Sequence, residues 1–165
     1  MRSLIVYYSM SGNVKKTAER IAAKTGADLL ELIPVKAYPD KGAKKFIWGG
    51  KSALMGAKPA LQPYSFDAAQ YDTVIFGTPV WASSFTPPLR TFIEDNRAAL
   101  EGKRLAAFVC YLGGGDQKAF KKLKKFLDIE SLAAEMTLTE PNSKPDADSE
   151  SEIARFCEAL GEAHD

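Results

Sequence analysis

Short apolar segments alternate along the chain with segments of helical periodicity. Five of the apolar segments are rich in β-branched, aromatic and aliphatic residues, which is typical of strands buried on both faces of a sheet. These predicted strands cover residues 4–8, 28–33, 73–77, 104–111 and 135–139. The segments that follow most of them have a different period and predict helices.

The predicted helices each have one apolar face. Their apolar residues recur at intervals of three and four, and they are Val14, Ala18, Ile21 and Ala22; Leu89, Phe92 and Ile93; Phe120, Leu123, Phe126 and Leu127; and Ile153, Phe156, Cys157 and Leu160. Gly26 is placed to end the first helix. Pro87 and Pro88 stand where the first turn of the second helix tolerates proline, and Asp116 is placed to cap the third.

The order of strands and helices predicts a parallel sheet with helices on both faces. Right-handed crossovers limit how such a sheet can be wound. We expect a doubly wound, three-layer sandwich with five strands in the order 2-1-3-4-5. The length of 165 residues suits a single domain, residues 1–165, with a long segment at 34–66 between strands 2 and 3.

Composition and charge exclude several classes of function. The net charge of +1 gives no field that would attract nucleic acid or an anionic membrane surface, and no apolar run is long enough to span a bilayer. Cys110 and Cys157 predict two buried thiols in a reducing compartment. With His164 as the single histidine, a zinc site lacks ligands. We therefore expect a cytoplasmic protein without membrane insertion.

In a sheet of this kind, ligands bind beyond the carboxyl ends of the strands where the winding reverses, between strands 1 and 3. The first loop at this edge, Ser9 to Asn13, has two hydroxyl groups and a glycine before a helix start. Free N–H groups and the helix dipole make such a loop favourable for a phosphate. Ordinary capping of the helix by Ser11 explains this loop alone equally well. No GxxxxGK lysine follows, which excludes a nucleotide triphosphatase of that type.

The loops after strands 3 and 4 also suit a ligand. Trp81 follows strand 3 and can stack on a flat ring or fill the core. Gly113, Gly114 and Gly115 follow strand 4 and allow either a close approach of backbone N–H groups to a ligand or a flexible turn. Three such loops at one edge are better explained by one shared ligand than by three unrelated features.

These loops resemble those of the flavodoxin family. The stretch from Tyr8 to Asn13 resembles its phosphate loop, residues 77–81 resemble the loop with the flavin-stacking aromatic, and residues 112–116 resemble the loop at the pyrimidine edge. The resemblance implies one non-covalently bound FMN. Its position at the strand 1–strand 3 switch point is a known property of that family. The implied binding residues are Ser9, Met10, Ser11, Gly12, Asn13, Val14, Thr78, Pro79, Val80, Trp81, Ala82, Leu112, Gly113 and Gly114.

The sequence departs from the family pattern at four points. Val14 replaces the last hydroxyl residue of the phosphate loop, so its side chain is expected to face the core. The chain is not strongly acidic, as electron-carrying members are, and the third loop has no clear outer stacking tyrosine. The long 34–66 segment, with Phe46, Trp48 and Gly49–Gly50, is either a lid over the flavin or a crossover helix at about 41–48.

The resemblance leaves two functions open. One is an electron carrier that passes electrons between redox partner proteins. The other is a reductase that takes hydride from NAD(P)H and reduces a small quinone-like acceptor. A receiver domain is excluded because Ser9 and Gly77 stand where it needs acidic residues, and a Cys-x5-Arg phosphatase loop is missing. Whether the chain forms a homodimer also stays open.

The absence of glycine beside the stacking aromatic favours the second function. In electron-carrying flavodoxins, a peptide flip at this place stabilises the one-electron form, and a glycine usually gives the positive φ that the flip needs. Residues 79–83 contain none, and positive φ is unfavourable for other residues. This reasoning predicts two-electron chemistry.

Overall fold

The computed structural model describes residues 2–38, 56–111, 113–139 and 147–161. Five strands form one parallel sheet in the order β2-β1-β3-β4-β5. The strands are β1 (Ser3–Tyr7), β2 (Asp28–Glu31), β3 (Thr73–Pro79), β4 (Arg104–Tyr111) and β5 (Glu135–Thr139). The predicted fold class and strand order are therefore confirmed.

Helices connect these strands, as the apolar spacing predicted. They are α1 (Asn13–Thr25), α2 (Pro87–Asp95), α3 (Arg97–Leu100), α4 (Asp116–Leu127) and α5 (Ala147–Gly161), with a short 3-10 helix at Ala68–Gln70. Pro87 and Pro88 occupy the first turn of α2, where no intrahelical N–H bond is lost. No helix within the described ranges is long and apolar enough to cross a membrane.

The sheet separates two apolar clusters. Val6, Phe76 and Val109 point to the face covered by α2 and α4. Ile5 and Ile75 point to the opposite face, which α1 and α5 cover. Both faces are buried because successive side chains of a strand point to opposite sides.

The ends of three strands differ from the prediction. β1 begins at Ser3 rather than Leu4, and β2 ends at Glu31, although Leu32 N still donates to Tyr7 O at 2.8 Å. β3 does not stop before Pro79 but includes it. β1 pairs with β3 only as far as Tyr7 and Gly77. Beyond that point a proline, which lacks an N–H, costs the sheet no hydrogen bond on the β1 side.

The described ends of the 34–66 segment pack beside the sheet. Pro34 and Leu61 form an antiparallel bridge, and Val35 N donates to Ala60 O at 2.9 Å. Farther along, Thr91 Oγ1 donates to Pro59 O at 2.7 Å, which ties the segment to α2. The proposed lid residues Phe46, Trp48 and Gly49–Gly50, and the helix predicted at 41–48, lie outside the described residues.

Both cysteines are free thiols. Cys110 is buried, as predicted, and burial raises the pKa of its thiol to about 12. Cys157 is only partly buried, which corrects the prediction of two buried thiols. It lies on the flank of the apolar face of α5, where it packs against the cluster without being enclosed.

Candidate functional site

Three loops meet at the carboxyl edge of the sheet, after β1, β3 and β4. The ring of Tyr8, which follows β1, lies 5.6 Å from the ring of Trp81, which follows β3. Ser83, in the same loop as Trp81, contacts Gly115, which follows β4. The structure thus brings together the three loops that the sequence indicated.

The loop after β1 gathers backbone donors around one oxygen. Ser9 Oγ accepts hydrogen bonds from Gly12 N and from Lys15 N, both at 3.2 Å. Gly12 is the N-cap of α1 and has a φ of 93°, which favours glycine. Capping by Ser11 is therefore wrong, because Ser9, three residues before the N-cap, accepts from the N-cap N–H and from one N–H of the first turn.

The other residues of this loop surround that cap. The Ser11 hydroxyl is exposed, and Asn13 Nδ2 donates to its Oγ at 3.5 Å. Met10 is half-buried. Val14 is 1% exposed and packs in the apolar cluster under α1, as its missing hydroxyl predicted. The loop therefore exposes Ser11 to solvent on one side and is anchored in the core by Val14 on the other.

Three aromatic rings pack edge to face beside this loop. Trp81 lies 5.6 Å from Tyr8 and 5.2 Å from Tyr38, with interplanar angles of 86° and 81°. Tyr8 and Tyr38 are themselves 6.0 Å apart. Tyr8 is nearly buried, and burial together with the neighbouring Tyr38 raises the pKa of its hydroxyl well above the usual range. The three rings of the cluster are therefore uncharged.

Trp81 opens a two-residue hairpin. Trp81 N donates to Ser84 O at 3.0 Å, and Ser84 N donates to Trp81 O at 2.9 Å. Ala82 and Ser83, between them, have φ values of 48° and 58°. Positive φ at both central residues is what a type I′ turn requires, and it costs an L-residue about 1–2 kcal/mol. Ala82 and Ser83 therefore adopt positive φ without glycine, so the absence of glycine no longer supports two-electron chemistry.

Buried threonines hold the base of this hairpin. Thr78 is fully buried, and its Oγ1 lies 2.9 Å from Thr86 Oγ1 and accepts from Thr86 N at 3.0 Å. The Thr78 side chain is thus turned into the protein and supports the loop. Pro79 and Val80 are half-buried at the end of β3, and Ala82 is exposed at the tip of the turn.

The loop after β4 approaches the hairpin through glycine. Gly113 and Gly114 are exposed, and Leu112 lies outside the described residues. Gly115 has a φ of 87° and is the N-cap of α4, so the prediction that Asp116 caps this helix is wrong. Asp116 is instead in the first turn, where its Oδ2 accepts from Thr137 Oγ1 at 3.2 Å.

Several residues at these loops were not among the predicted binding residues. Tyr8 could have been found, because it directly follows a strand at the winding reversal. Gly115 ends a run of three glycines, which is itself a signal. Tyr38 gives no such signal in the sequence, because it contacts Trp81 from a separate segment of the chain. The positions of Ser83 and Ser84 can be recognised only once the structure shows the hairpin.

The arrangement suits a ligand with an anionic end and a flat aromatic body. The loop after β1 supplies hydroxyl and N–H donors at the positive end of a helix dipole. Trp81, Tyr8 and Tyr38 supply an aromatic surface. Tyr8 joins this surface to the loop, because it directly precedes Ser9. Gly113 and Gly114 leave their backbone open to the same edge.

The fold is similar to that of known flavoproteins and flavodoxins. A sequence model described as flavodoxin matches residues 2–144. The crystal structure of a flavoprotein in complex with FMN from Lactobacillus acidophilus NCFM has a TM-score of 0.73 and 21% identity, with 94% of this chain and 97% of that chain covered. Oxidised Flavodoxin 1 from Bacillus cereus has a TM-score of 0.60 and 16% identity, with both chains covered completely. At these identities the likeness is one of fold.

Proposed function

The chain belongs to the flavodoxin family, and from that premise we propose that it binds one FMN non-covalently at the carboxyl edge of its sheet and uses it for electron transfer. The similar flavoprotein from Lactobacillus acidophilus was crystallised with this cofactor. Two free thiols support a reducing compartment, and we place the protein in the cytoplasm.

One observation carries this proposal: the phosphate-type loop and the aromatic cluster are in contact. Tyr8 directly precedes Ser9, and its ring lies 5.6 Å from that of Trp81. Donors for a phosphate and a surface for a flat ring are thus placed side by side. Either feature alone has an ordinary structural explanation, but FMN, which has a phosphate and a flat ring, requires both in one site.

The residues of this edge fit FMN by their chemistry. The phosphate would be held by Ser9, Ser11 and the N–H groups of the loop, where Ser9 Oγ already accepts two such bonds. A phosphate oxygen can accept the same kind of bond more strongly, because it is charged. Trp81 would cover part of the ring, and the open backbone of Gly113 and Gly114 would donate to its polar edge.

Bound FMN supplies the capacity to accept and donate electrons. The protein's own contribution is binding, orientation and partial exclusion of water. The neutral rings of Tyr8, Tyr38 and Trp81 lower the polarity around the site. The exposed turn at Ala82 and the exposed glycines leave one side accessible to a redox partner.

A second candidate function is an NAD(P)H-dependent quinone-type reductase. It is favoured by the net charge of +1, because electron-carrying flavodoxins are strongly acidic. The contact of Tyr38 with Trp81 also favours it, since the segment between β2 and β3 then shapes the site for a small acceptor. In this case the partner is a small quinone-like molecule rather than a redox protein.

Absorbance spectroscopy tests the shared part of both functions. The purified protein, mixed with FMN and separated from excess cofactor, is expected to retain one flavin per chain. Retention of no flavin, or of FAD in preference to FMN, would contradict the proposal. Assays of NADH and NADPH oxidation with a soluble quinone then separate the two functions. Turnover identifies the reductase, and its absence supports the carrier.

A further inference from the structure

A cavity lies between α2 and α4, next to the Trp81 hairpin. Its volume is about 450 Å³, within the range of roughly 300–1,000 Å³ that is usual for small-molecule sites. We call it the cationic pocket. Its lining includes Ser84, Phe85, Arg90, Lys122, Lys125 and Phe126. Ser84 also belongs to the Trp81 hairpin, and the other lining residues lie outside the proposed FMN site.

Two buried donors in this pocket lack partners. Ser84 is 2% exposed, and no described group forms a hydrogen bond with its Oγ. The Nε atom of Arg90 is likewise buried, with no acceptor among the described residues. Buried donors are rarely left without an acceptor, because each costs roughly 1–3 kcal/mol. Both atoms are thus donors for which the described residues supply no acceptor.

The Arg90 guanidinium is held in place by aromatic rings. Its Cζ lies 4.7 Å from the ring centre of Phe85 and 4.9 Å from that of Phe126. Burial lowers the pKa of Arg90, although arginine remains charged at ordinary pH. This packing fixes the planar group in one orientation, as a site for a planar or tetrahedral anion requires.

The negative charge of Glu94 acts on Arg90, where it partly offsets the lowering of the pKa by burial, but Glu94 does not line the pocket. Glu94, one turn beyond Arg90 on α2, lies 2.9 Å from Arg97 and 3.9 Å from Lys58. Among the described residues, no aspartate or glutamate lines the pocket. Arg90, Lys122 and Lys125 are thus three positive charges around a cavity whose charged lining has one sign.

We propose that the cationic pocket binds a phosphate monoester with an apolar or aromatic body, as a ligand separate from FMN. A hydroxyl, a guanidinium Nε–H and two ammonium groups match the several acceptor oxygens and the charge of about −1.5 to −2 of a phosphate monoester. The volume exceeds that of a phosphate alone, and Phe85 and Phe126 provide apolar walls for the rest of the ligand.

The pocket shares the hairpin with the flavin site. Ser84 lines the pocket, and its backbone exchanges two hydrogen bonds with Trp81. A ligand beside Ser84 is therefore separated from the aromatic cluster only by the hydrogen-bonded pair of Ser84 and Trp81. The proposal does not depend on FMN binding, because none of the pocket residues belongs to the phosphate loop.

Nuclear magnetic resonance can localise such a ligand directly. Phenyl phosphate is titrated into the FMN-saturated protein and followed through backbone amide shifts, with phenol, benzoate and inorganic phosphate as comparison probes. We expect saturable shifts at Ser84, Phe85, Lys122 and Phe126, weaker binding of inorganic phosphate and benzoate, and none of phenol. Because the amides of residues 9–13 report on the phosphate loop separately, a failure of FMN to bind would not be confused with a failure of the pocket.

Two double variants test the charges on α4. Lys122→Gln/Lys125→Gln removes the two lining lysines and is expected to weaken phenyl phosphate on the order of tenfold. Lys118→Gln/Lys121→Gln removes the same charge from exposed positions of the same helix that do not line the pocket, and should change the affinity less than about threefold. Shifts confined to residues 9–13, equal losses in both variants, or binding of benzoate as tight as that of phenyl phosphate would overturn the proposal.

Discussion

A Cβ atom placed on Gly115 would lie 2.7 Å from Ser83 Oγ and 3.1 Å from Ser83 Cα. The loops after β3 and β4 are therefore in contact at a position where no side chain fits. Gly115 also has a φ of 87°, which other residues adopt at a cost. Two separate requirements thus hold glycine at the junction of the proposed FMN loops.

Gly115→Ala should damage both stability and FMN binding. We expect the free energy of unfolding to fall by about 2–4 kcal/mol, from the positive φ and from overpacking against Ser83. FMN affinity should fall on the order of tenfold, since both loops are displaced. Urea denaturation and flavin titration measure these effects. Gly102→Ala is the matched control, because Gly102 has a φ of 73° but nothing within 4 Å, and an FMN affinity lowered equally there would contradict the role of the contact.

Trp81 should report directly on FMN. Stacking of a flat base on an aromatic side chain is worth roughly 1–3 kcal/mol, so Trp81→Ala should weaken FMN by about 5- to 150-fold. In the unsubstituted protein, FMN should quench tryptophan fluorescence. Trp48→Phe isolates the Trp81 signal, and Trp81→Phe isolates that of Trp48. Quenching that persists unchanged in Trp81→Phe would remove Trp81 from the site.

The Trp81 hairpin can be relieved of strain. Ala82 is exposed and has a φ of 48°. Asparagine tolerates this region better than alanine, so Ala82→Asn should stabilise the protein by about 0.5–1 kcal/mol. Ala23→Asn, at an exposed position within α1, should destabilise by about 0.5 kcal/mol because asparagine is the poorer helix former. Urea denaturation curves give both signs, and a loss of stability in Ala82→Asn would argue against the turn.

Alkaline pH should destabilise the fold through Tyr7. Burial and the negative charges of Glu31 and Glu19 raise the pKa of Tyr7 from 10.0 to about 12. Below pH 10 the hydroxyl is neutral in both states. Between pH 10 and about 12 the unfolded chain loses the proton while the native protein keeps it, so stability falls as pH rises.

Tyr7→Phe tests this dependence, because it removes the titrating group and keeps the ring. The slope of unfolding free energy against pH should flatten between pH 10 and 12 by up to about 1.4 kcal/mol per pH unit. The Cys110 thiol, with its pKa raised to about 12, and the Tyr8 hydroxyl, whose pKa is also raised by burial, leave a residual slope in the variant. Parallel curves for the variant and the unsubstituted protein would contradict the assignment to Tyr7.

The sequence predicted the strand order and the edge where the loops gather. The parallel sheet and its ligand edge follow from the alternation of apolar strands with amphipathic helices, whereas the order 2-1-3-4-5 was expected because it is the usual one for a doubly wound sheet of this size. The burial of Val14 was also predictable, since it repeats with Ala18 and Ile21 on one helical face. The fold could therefore be predicted almost entirely from the pattern of apolar and polar residues along the chain.

The details of the loops could not be read in the same way. Alanine and serine have no preference for positive φ, so nothing in the sequence marks Ala82 and Ser83 as the centre of a tight hairpin. Ser9 acts as a cap from outside the helix, and sequence rules place the cap at the residue before the first turn. Tyr38 contacts Trp81 across 43 positions of sequence, a contact that only the tertiary structure creates.

The most direct test of FMN binding compares FMN with riboflavin, which lacks the phosphate. Ser11 is the suitable position, because its hydroxyl is exposed whereas Ser9 also caps α1. A hydrogen bond to a charged group is worth roughly 1.5–3 kcal/mol, so Ser11→Ala should weaken FMN by about 10- to 150-fold. Titrations followed by flavin fluorescence should show FMN binding far tighter than riboflavin, with the riboflavin affinity unchanged by the substitution. Riboflavin binding as tight as that of FMN would contradict a phosphate site in this loop.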